Sequence, residues 1–92
     1  MDEAAYRAAA AQKGYDTPTL KSLAPGTVNE SHAHDVALFV YVQEGEFIVD
    51  VAAGTEFTTN VCLPGDTIEV PGGVVHIERV GLEGTTLLVA RK

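Results

Sequence analysis

Two hydrophobic patterns divide the chain. Residues 3–13 are rich in alanine, with Tyr6 on the apolar side, and Asp2 before them is a typical helix N-cap. The pattern predicts a helix of about three turns that ends at Gly14, because glycine adopts positive φ readily at a helix terminus. Its apolar face is shallow, so we expect it to pack against the rest of the domain or a second subunit.

From residue 17 onward, short β-branched runs alternate with turn signals rich in glycine and proline. Eight strands are predicted, over residues 17–23, 27–34, 37–43, 46–51, 56–63, 67–70, 75–80 and 85–90. Because no helical period separates them, they must pair antiparallel in a barrel or sandwich. Apolar residues 38, 40 and 42 alternate with residues 39, 41 and 43, so one set should line the interior and the other should pack against a second sheet or subunit.

The length of 92 residues leaves room for one domain, and 46% hydrophobic with 21% charged residues is ordinary for a globular protein. We predict a helix and lead-in over residues 1–16 and the β-domain, a barrel or sandwich, over residues 17–92. A domain this small benefits from a metal ion, a docked helix or a partner subunit. A homodimer is therefore expected.

Charge excludes several kinds of partner. The net charge of −7, from six basic and thirteen acidic residues, argues against nucleic acid and against an anionic membrane surface. Asp2 and Glu3 beside a short alanine run are typical of neither a secretory signal nor a membrane span, so a cytoplasmic location is expected. The single cysteine, Cys62, lies between apolar neighbours and should be a buried thiol.

The three histidines are the residues that indicate chemistry. His32 and His34 are two positions apart in a predicted strand, so their imidazoles share a face, and His76 is the only other histidine. Three imidazoles suit a divalent first-row ion such as iron, nickel, manganese or zinc. The alternative is that His32 and His34 are half-exposed strand residues and His76 is a core histidine bonded to the backbone.

The spacing of these histidines resembles the two conserved motifs of the cupin family. The first motif is matched by Gly26, His32, His34 and Gly45, and the second by Gly65, Pro71, Gly73 and His76. With the strands between them, the motifs cover roughly residues 26–80. The resemblance implies an all-β fold, a small jelly-roll-like antiparallel β-barrel, in which His32, His34 and His76 bind a divalent metal ion.

Two positions depart from the family's pattern. Leu38 stands where the family has a glutamate ligand, and Val80 stands where the second motif has asparagine. Three neutral imidazoles leave the ion's charge uncompensated, which favours an anionic ligand or hydroxide in the open positions. Three-histidine iron sites occur in thiol dioxygenases among the cupins, so the resemblance is compatible with oxygen chemistry.

Another carboxylate can substitute for the missing glutamate. Glu78 lies two residues after His76, and Glu30 lies two residues before His32, so strand parity lets either point inward. Either would then be a metal ligand or a weak candidate for a catalytic general base. Otherwise both lie in water at the barrel mouth, as most glutamates do.

Two classes of function remain open. In the first, the three histidines hold a divalent ion, and the protein is a metal-dependent enzyme, dioxygenase- or isomerase-like, acting on a small anionic molecule. In the second, it is a non-catalytic domain that binds or senses a small ligand and has a degenerate metal site. A sensor would act through another protein, because no DNA-binding segment is present. A third option is a structural dimer whose pocket has lost its function.

Overall fold

The computed structural model describes all residues, Met1–Lys92. It contains one helix and six strands, in the order α1 (Glu3–Gln12), β1 (Thr19–Leu23), β2 (Val28–His32), β3 (Leu38–Ala53), β4 (Glu56–Cys62), β5 (Thr67–Val70) and β6 (His76–Arg91). Every strand pair is antiparallel. The predicted all-β class with a short N-terminal helix is confirmed. The helix lacks the length and apolar character needed to cross a membrane.

Two long strands organise the sheet. Strands β3 and β6 each have sixteen residues and pair with each other along most of their length. The start of β3 pairs with the end of β6, and the end of β3 pairs with the start of β6. Each of these two pairs is flanked by different short strands, so the sheet has two halves, called half-sheets below. The first half-sheet contains β1, the end of β6, the start of β3, and β5. The second contains β2, the start of β6, the end of β3, and β4. Because both long strands belong to both half-sheets, the sheet folds over one shared core in a jelly-roll-like, incompletely closed barrel.

The structure has six strands where the sequence predicted eight, because β3 and β6 each bend at the middle without ending. Segments 37–43 and 46–51 form the single strand β3, and segments 75–80 and 85–90 form β6. Gly45, at φ 78°, lies between two register shifts in the β3–β6 ladder, and Gly84 on β6 has the same φ. Glycines that indicated turns in the sequence therefore lie in β-bulges at a corner of the barrel. The prediction was also too long at 27–34, since β2 ends at His32 and His34 lies just beyond it.

The alternation along β3 separates two apolar layers, as predicted. The interior cluster includes Leu38, Val40 and Val42, together with residues from β4, β5 and β6. Residues 39 and 41 point the other way and contact Tyr6 and Ala10 of α1, both fully buried. The second layer is therefore the chain's own helix, in place of the second sheet or subunit expected for residues 39 and 41. The boundary between a lead-in at 1–16 and a domain at 17–92 stays a prediction.

Polar contacts cap the start of the helix and hold Tyr6 against the barrel. The Asp2 carboxylate accepts a hydrogen bond from the Ala5 amide at 2.8 Å, so Asp2 is the N-cap that the sequence predicted. The Tyr6 hydroxyl donates to the Phe39 carbonyl oxygen at 2.6 Å, so the buried phenol keeps a partner.

Cys62 is buried at 4% exposure, and burial raises the pKa of its thiol, which makes a thiolate nucleophile or ligand there unfavourable.

Candidate metal centre

The fold brings the three histidines together at one end of the barrel. The ring centroids of His32 and His76 are 4.3 Å apart, those of His32 and His34 are 4.8 Å apart, and those of His34 and His76 are 5.3 Å apart. Their candidate ligand nitrogens lie within 4.8 Å of one another. Three such atoms all lie within about 2.8 Å of a common point, close to the roughly 2.1 Å of a metal–imidazole bond. The three imidazoles can therefore hold one ion after a small adjustment.

Strand pairing accounts for most of this convergence. His32 at the end of β2 is the cross-strand partner of His76 at the start of β6, so their side chains are neighbours on one face. On the other side of β6, His76 pairs with Val51 of β3. The backbone of His34 is held by a hydrogen bond from the Gly73 amide to its carbonyl oxygen at 2.8 Å. The loop before β6 thus fixes the third imidazole beside the other two.

Backbone contacts select the tautomer of two of the rings. His32 Nδ1 lies 2.6 Å from the Glu30 carbonyl oxygen, and His76 Nδ1 lies 3.1 Å from the Val74 carbonyl oxygen. A carbonyl oxygen only accepts hydrogen bonds, so each Nδ1 must carry the proton and donate. In the neutral ring with this tautomer, Nε2 carries the lone pair that can bind a metal ion.

His76 shows the clearest sign of a missing partner. Its side chain is 1% exposed, and its Nε2 has no hydrogen-bond partner. A buried polar atom left without a partner costs about 1–3 kcal/mol. The alternative of a core histidine satisfied by the backbone therefore accounts for Nδ1 and leaves Nε2 unexplained, whereas a metal ion at the common point of the three rings satisfies it.

Glu78 lies against the same nitrogens. One of its carboxylate oxygens is 3.8 Å from His32 Nε2, and the other is 3.8 Å from His76 Nε2. This separation is too long for a hydrogen bond. It fits two ligands of one ion, which lie about 3–4 Å apart when each bond is near 2.1 Å. The Asn29 side chain donates to Glu78 Oε1 at 2.9 Å and holds the carboxylate in this position.

Glu30 is placed differently from Glu78. It is exposed, and only its backbone carbonyl contacts a histidine. Of the two acids that the sequence left open, Glu78 is therefore the one whose carboxylate reaches the histidine cluster. Sequence reasoning missed Asn29, although its position opposite Glu78 in the β2–β6 ladder follows from pairing of those two strands.

The imidazoles also change one another's protonation. Partial burial of the His34 ring lowers its pKa, and the neighbouring His32 and His76 rings lower it further. Arg91 acts in the same direction, while Glu78 opposes it. The surroundings of His34 therefore favour its neutral form, as metal coordination requires.

A cavity of about 570 Å³ opens beside the histidines, between the two half-sheets. Leu38, at 6% exposure, lies on its apolar wall where the resemblance placed a glutamate. Its cross-strand partner on β6 is Arg91, which lines the cavity together with Lys21 of β1. Both cations were missed from the sequence, although residues 87, 89 and 91 alternate inward along β6 and that parity could have identified Arg91.

A family model of the cupin domain matches residues 19–88. This chain belongs to the cupin family. The match spans both motifs and all six strands in part or whole, so the resemblance drawn from the histidine and glycine spacing is confirmed. No curated protein sequence matches this cupin.

Solved cupin structures share the fold. A variant of oxalate decarboxylase from Bacillus subtilis superposes with a TM-score of 0.72 at 24% identity, covering 79% of this chain and 20% of that one. The cupin domain of Drosophila melanogaster CENP-C gives 0.70 at 23% identity, covering 79% and 58%. This cupin thus spans about a fifth of the first and under three-fifths of the second. At this identity the likeness establishes the fold alone.

Proposed function

We propose that this cupin binds one divalent metal ion through His32, His34 and His76, and that the bound ion takes a small anionic molecule. The observation that carries the proposal is the buried His76 Nε2, which has no partner and lies beside two further imidazoles. Iron, nickel, manganese and zinc all accept imidazole ligands. Among the similar structures, the oxalate decarboxylase of Bacillus subtilis is described with Mn(II) centres.

Glu78 joins the shell in this proposal. It supplies one carboxylate to three imidazoles, which is the donor set that the family resemblance implies, but from β6 in place of Leu38 on β3. One carboxylate offsets one of the ion's two positive charges. The remaining charge favours an anion in the open coordination positions. When bound, the ion would supply Lewis-acid or redox chemistry there.

Metal stoichiometry tests the proposal directly. The purified protein is reconstituted separately with Fe(II), Ni(II), Mn(II) and Zn(II), then desalted and analysed for metal content. We expect about one ion per chain for at least one metal, because three convergent imidazoles form a complete facial set. Metal content near zero with all four ions, in protein whose circular dichroism shows it is folded, would exclude the site.

Substitution of the carboxylate tests the role of Glu78. We expect Glu78→Gln to lower metal affinity about tenfold or more, since removal of a ligand or of a partner that orients one has effects of this size. The matched control is Glu30→Gln, which removes an equal charge from the same cavity wall and should leave the affinity unchanged. Competition with a coloured chelator measures both. Equal affinities in the two variants would remove Glu78 from the shell.

The quaternary structure is part of the same proposal. Phe57 and Val61 lie on edge strand β4, on the side opposite to buried Cys62, and Leu63 follows the strand directly; each of the three is about half exposed. The helix covers the corresponding outer face of the first half-sheet, whereas this face has no covering element. These side chains support the homodimer expected from the sequence. The cytoplasmic location stays a prediction.

A further inference from the structure

We propose that the anionic molecule is an organic monocarboxylate with an apolar body, whose carboxylate is held by Arg91 beside the histidine cluster. This inference rests on the proposed function, since it names the class of molecule that the same cavity takes. Four features of the chain support it: two basic side chains without partners, the distribution of charge across the cavity, the position of Arg91 opposite Leu38, and the apolar character of the cavity floor.

The first feature is how the six basic residues are used. Arg7, Lys13 and Arg79 each form an ion pair with a carboxylate. Lys92 donates to a backbone carbonyl and lies over a tyrosine ring. The side chains of Lys21 and Arg91 make no hydrogen bond or ion pair, and both line the cavity. Both residues are exposed, so in a chain with thirteen acidic residues these two cations of one cavity remain available to an external anion.

The second feature is the separation of charge between the half-sheets. The acids of the cavity, Glu30 and Glu78, belong to β2 and the start of β6, on the side of the histidines. Lys21 and Arg91 belong to β1 and the end of β6, in the other half-sheet. A guanidinium near a bound divalent cation is unfavourable unless an anion lies between them. A carboxylate placed there interacts with both positive groups at once.

The third feature is the position of Arg91 opposite Leu38. These residues are cross-strand partners on β6 and β3. Leu38 occupies the place of the family's glutamate, and no carboxylate forms an ion pair with the Arg91 guanidinium, although the Asp16 carboxylate accepts a hydrogen bond from the Arg91 backbone amide at 2.7 Å. The carboxylate of a bound molecule can fill that position and accept two parallel hydrogen bonds from Arg91.

The rest of the cavity determines the body of the molecule. Its buried floor is formed by apolar side chains, namely Leu38, Val40, Phe47, Leu87 and Val89. Such a surface favours a hydrocarbon body and offers no hydrogen-bond partner to a second polar group. A dicarboxylate without carbon between its acid groups, such as oxalate, would leave this floor uncovered. The structure therefore points to a monocarboxylate whose head lies at the mouth and whose body lies on the floor.

Calorimetric titration of the metal-reconstituted protein with three probes tests the class. Hexanoate has both an acid head and an apolar body, hexanamide is its neutral counterpart, and acetate has the acid without most of the body. We expect hexanoate to bind about tenfold or more tightly than either of the others, because each lacks one of the two contributions. Hexanamide or acetate binding as tightly as hexanoate would overturn the assignment.

Variants of Arg91 test the position. Arg91→Gln should weaken hexanoate binding about 10- to 100-fold, the effect of losing a charge-assisted bidentate contact, while metal content stays unchanged. Arg91→Lys keeps the positive charge but lacks the planar guanidinium that donates two parallel hydrogen bonds. It should therefore restore part of the hexanoate affinity. The matched control is Arg79→Gln, since Arg79 is paired with Asp50 on the outer surface and does not line the cavity.

The readouts separate this inference from the metal proposal. If metal is present and Arg91→Gln binds hexanoate within about twofold of the unaltered protein, the carboxylate site is wrong and the metal site stands. If the unaltered protein retains no metal but its hexanoate affinity still depends on Arg91, the metal proposal fails and the carboxylate site stands.

Discussion

Replacing His76 by alanine is expected to abolish the stabilisation that metal gives this protein. A ligand present at about 100 times its dissociation constant stabilises a folded protein by about 2.7 kcal/mol, which raises the melting temperature of a domain of this size by about 10 °C or more. His76 supplies the buried Nε2 that lies beside the other two imidazoles. Loss of a direct ligand should lower metal affinity more than the roughly 10- to 100-fold caused by loss of an outer partner. Thermal melts with and without metal measure the difference.

The matched control for His76→Ala is Val80→Ala. Val80 lies on the same strand, is buried at 7% exposure, and packs in the interior cluster without contacting the histidines' nitrogens. Its truncation should lower the free energy of unfolding by about 2 kcal/mol through the cavity it leaves, with the metal-dependent rise in melting temperature intact. A full metal-dependent rise in His76→Ala would show that the ion binds elsewhere.

The metal-free His76→Ala protein provides a second comparison. Truncation removes packing around a buried ring, but it also removes a buried nitrogen that has no partner. These contributions have opposite signs, so the variant without metal should be less destabilised than a cavity of equal size would predict. The effect of the substitution is therefore concentrated in the metal-bound state.

Much of the fold could be predicted because its signals are local. The alternation of residues 38–43 indicates which side chains face the interior, and the structure confirms it. Asp2 and Gly14 bracket the helix because capping depends on nearby residues. The bend was missed because Glu44-Gly45-Glu46 has the composition of a turn. Whether it turns or bulges depends on Gly84, far along the chain, which packs against it.

The candidate site could likewise be predicted only in part. Motif spacing identifies His32 and His76, because strand parity and the preceding glycines fix where they lie. Strand parity also places Glu78 on the same face as the histidines. It does not show how deep in the barrel the carboxylate lies, so the sequence left open whether it lies at the histidines or in water. The partner that holds it, Asn29, and the cation Arg91 become visible only when strand register is known. Register arises from pairings between distant segments.

Gly45→Ala is expected to cause the largest loss of stability among single substitutions at the barrel's bend. Gly45 has φ 78°, a conformation that costs an alanine about 1–2 kcal/mol. A Cβ there would overlap the Gly84 carbonyl oxygen and lie 2.9 Å from the Thr85 Cα, both backbone atoms of β6. Forcing the strands apart should add about 1–3 kcal/mol. Urea unfolding should show a total loss of about 2–5 kcal/mol, a large share of the stability of a small domain.

Gly54→Ala separates the two contributions. Gly54 also has positive φ, at 67°, but a Cβ there meets no atom within 4 Å. It should therefore lose only the conformational part, about 1–2 kcal/mol. A similar loss in the two variants would mean that β3 and β6 separate freely at the bend. Because β6 carries His76 and Glu78 on one side of that bend and Arg91 on the other, close packing at Gly45 holds the proposed metal ligands and the proposed carboxylate-binding arginine in a fixed relation.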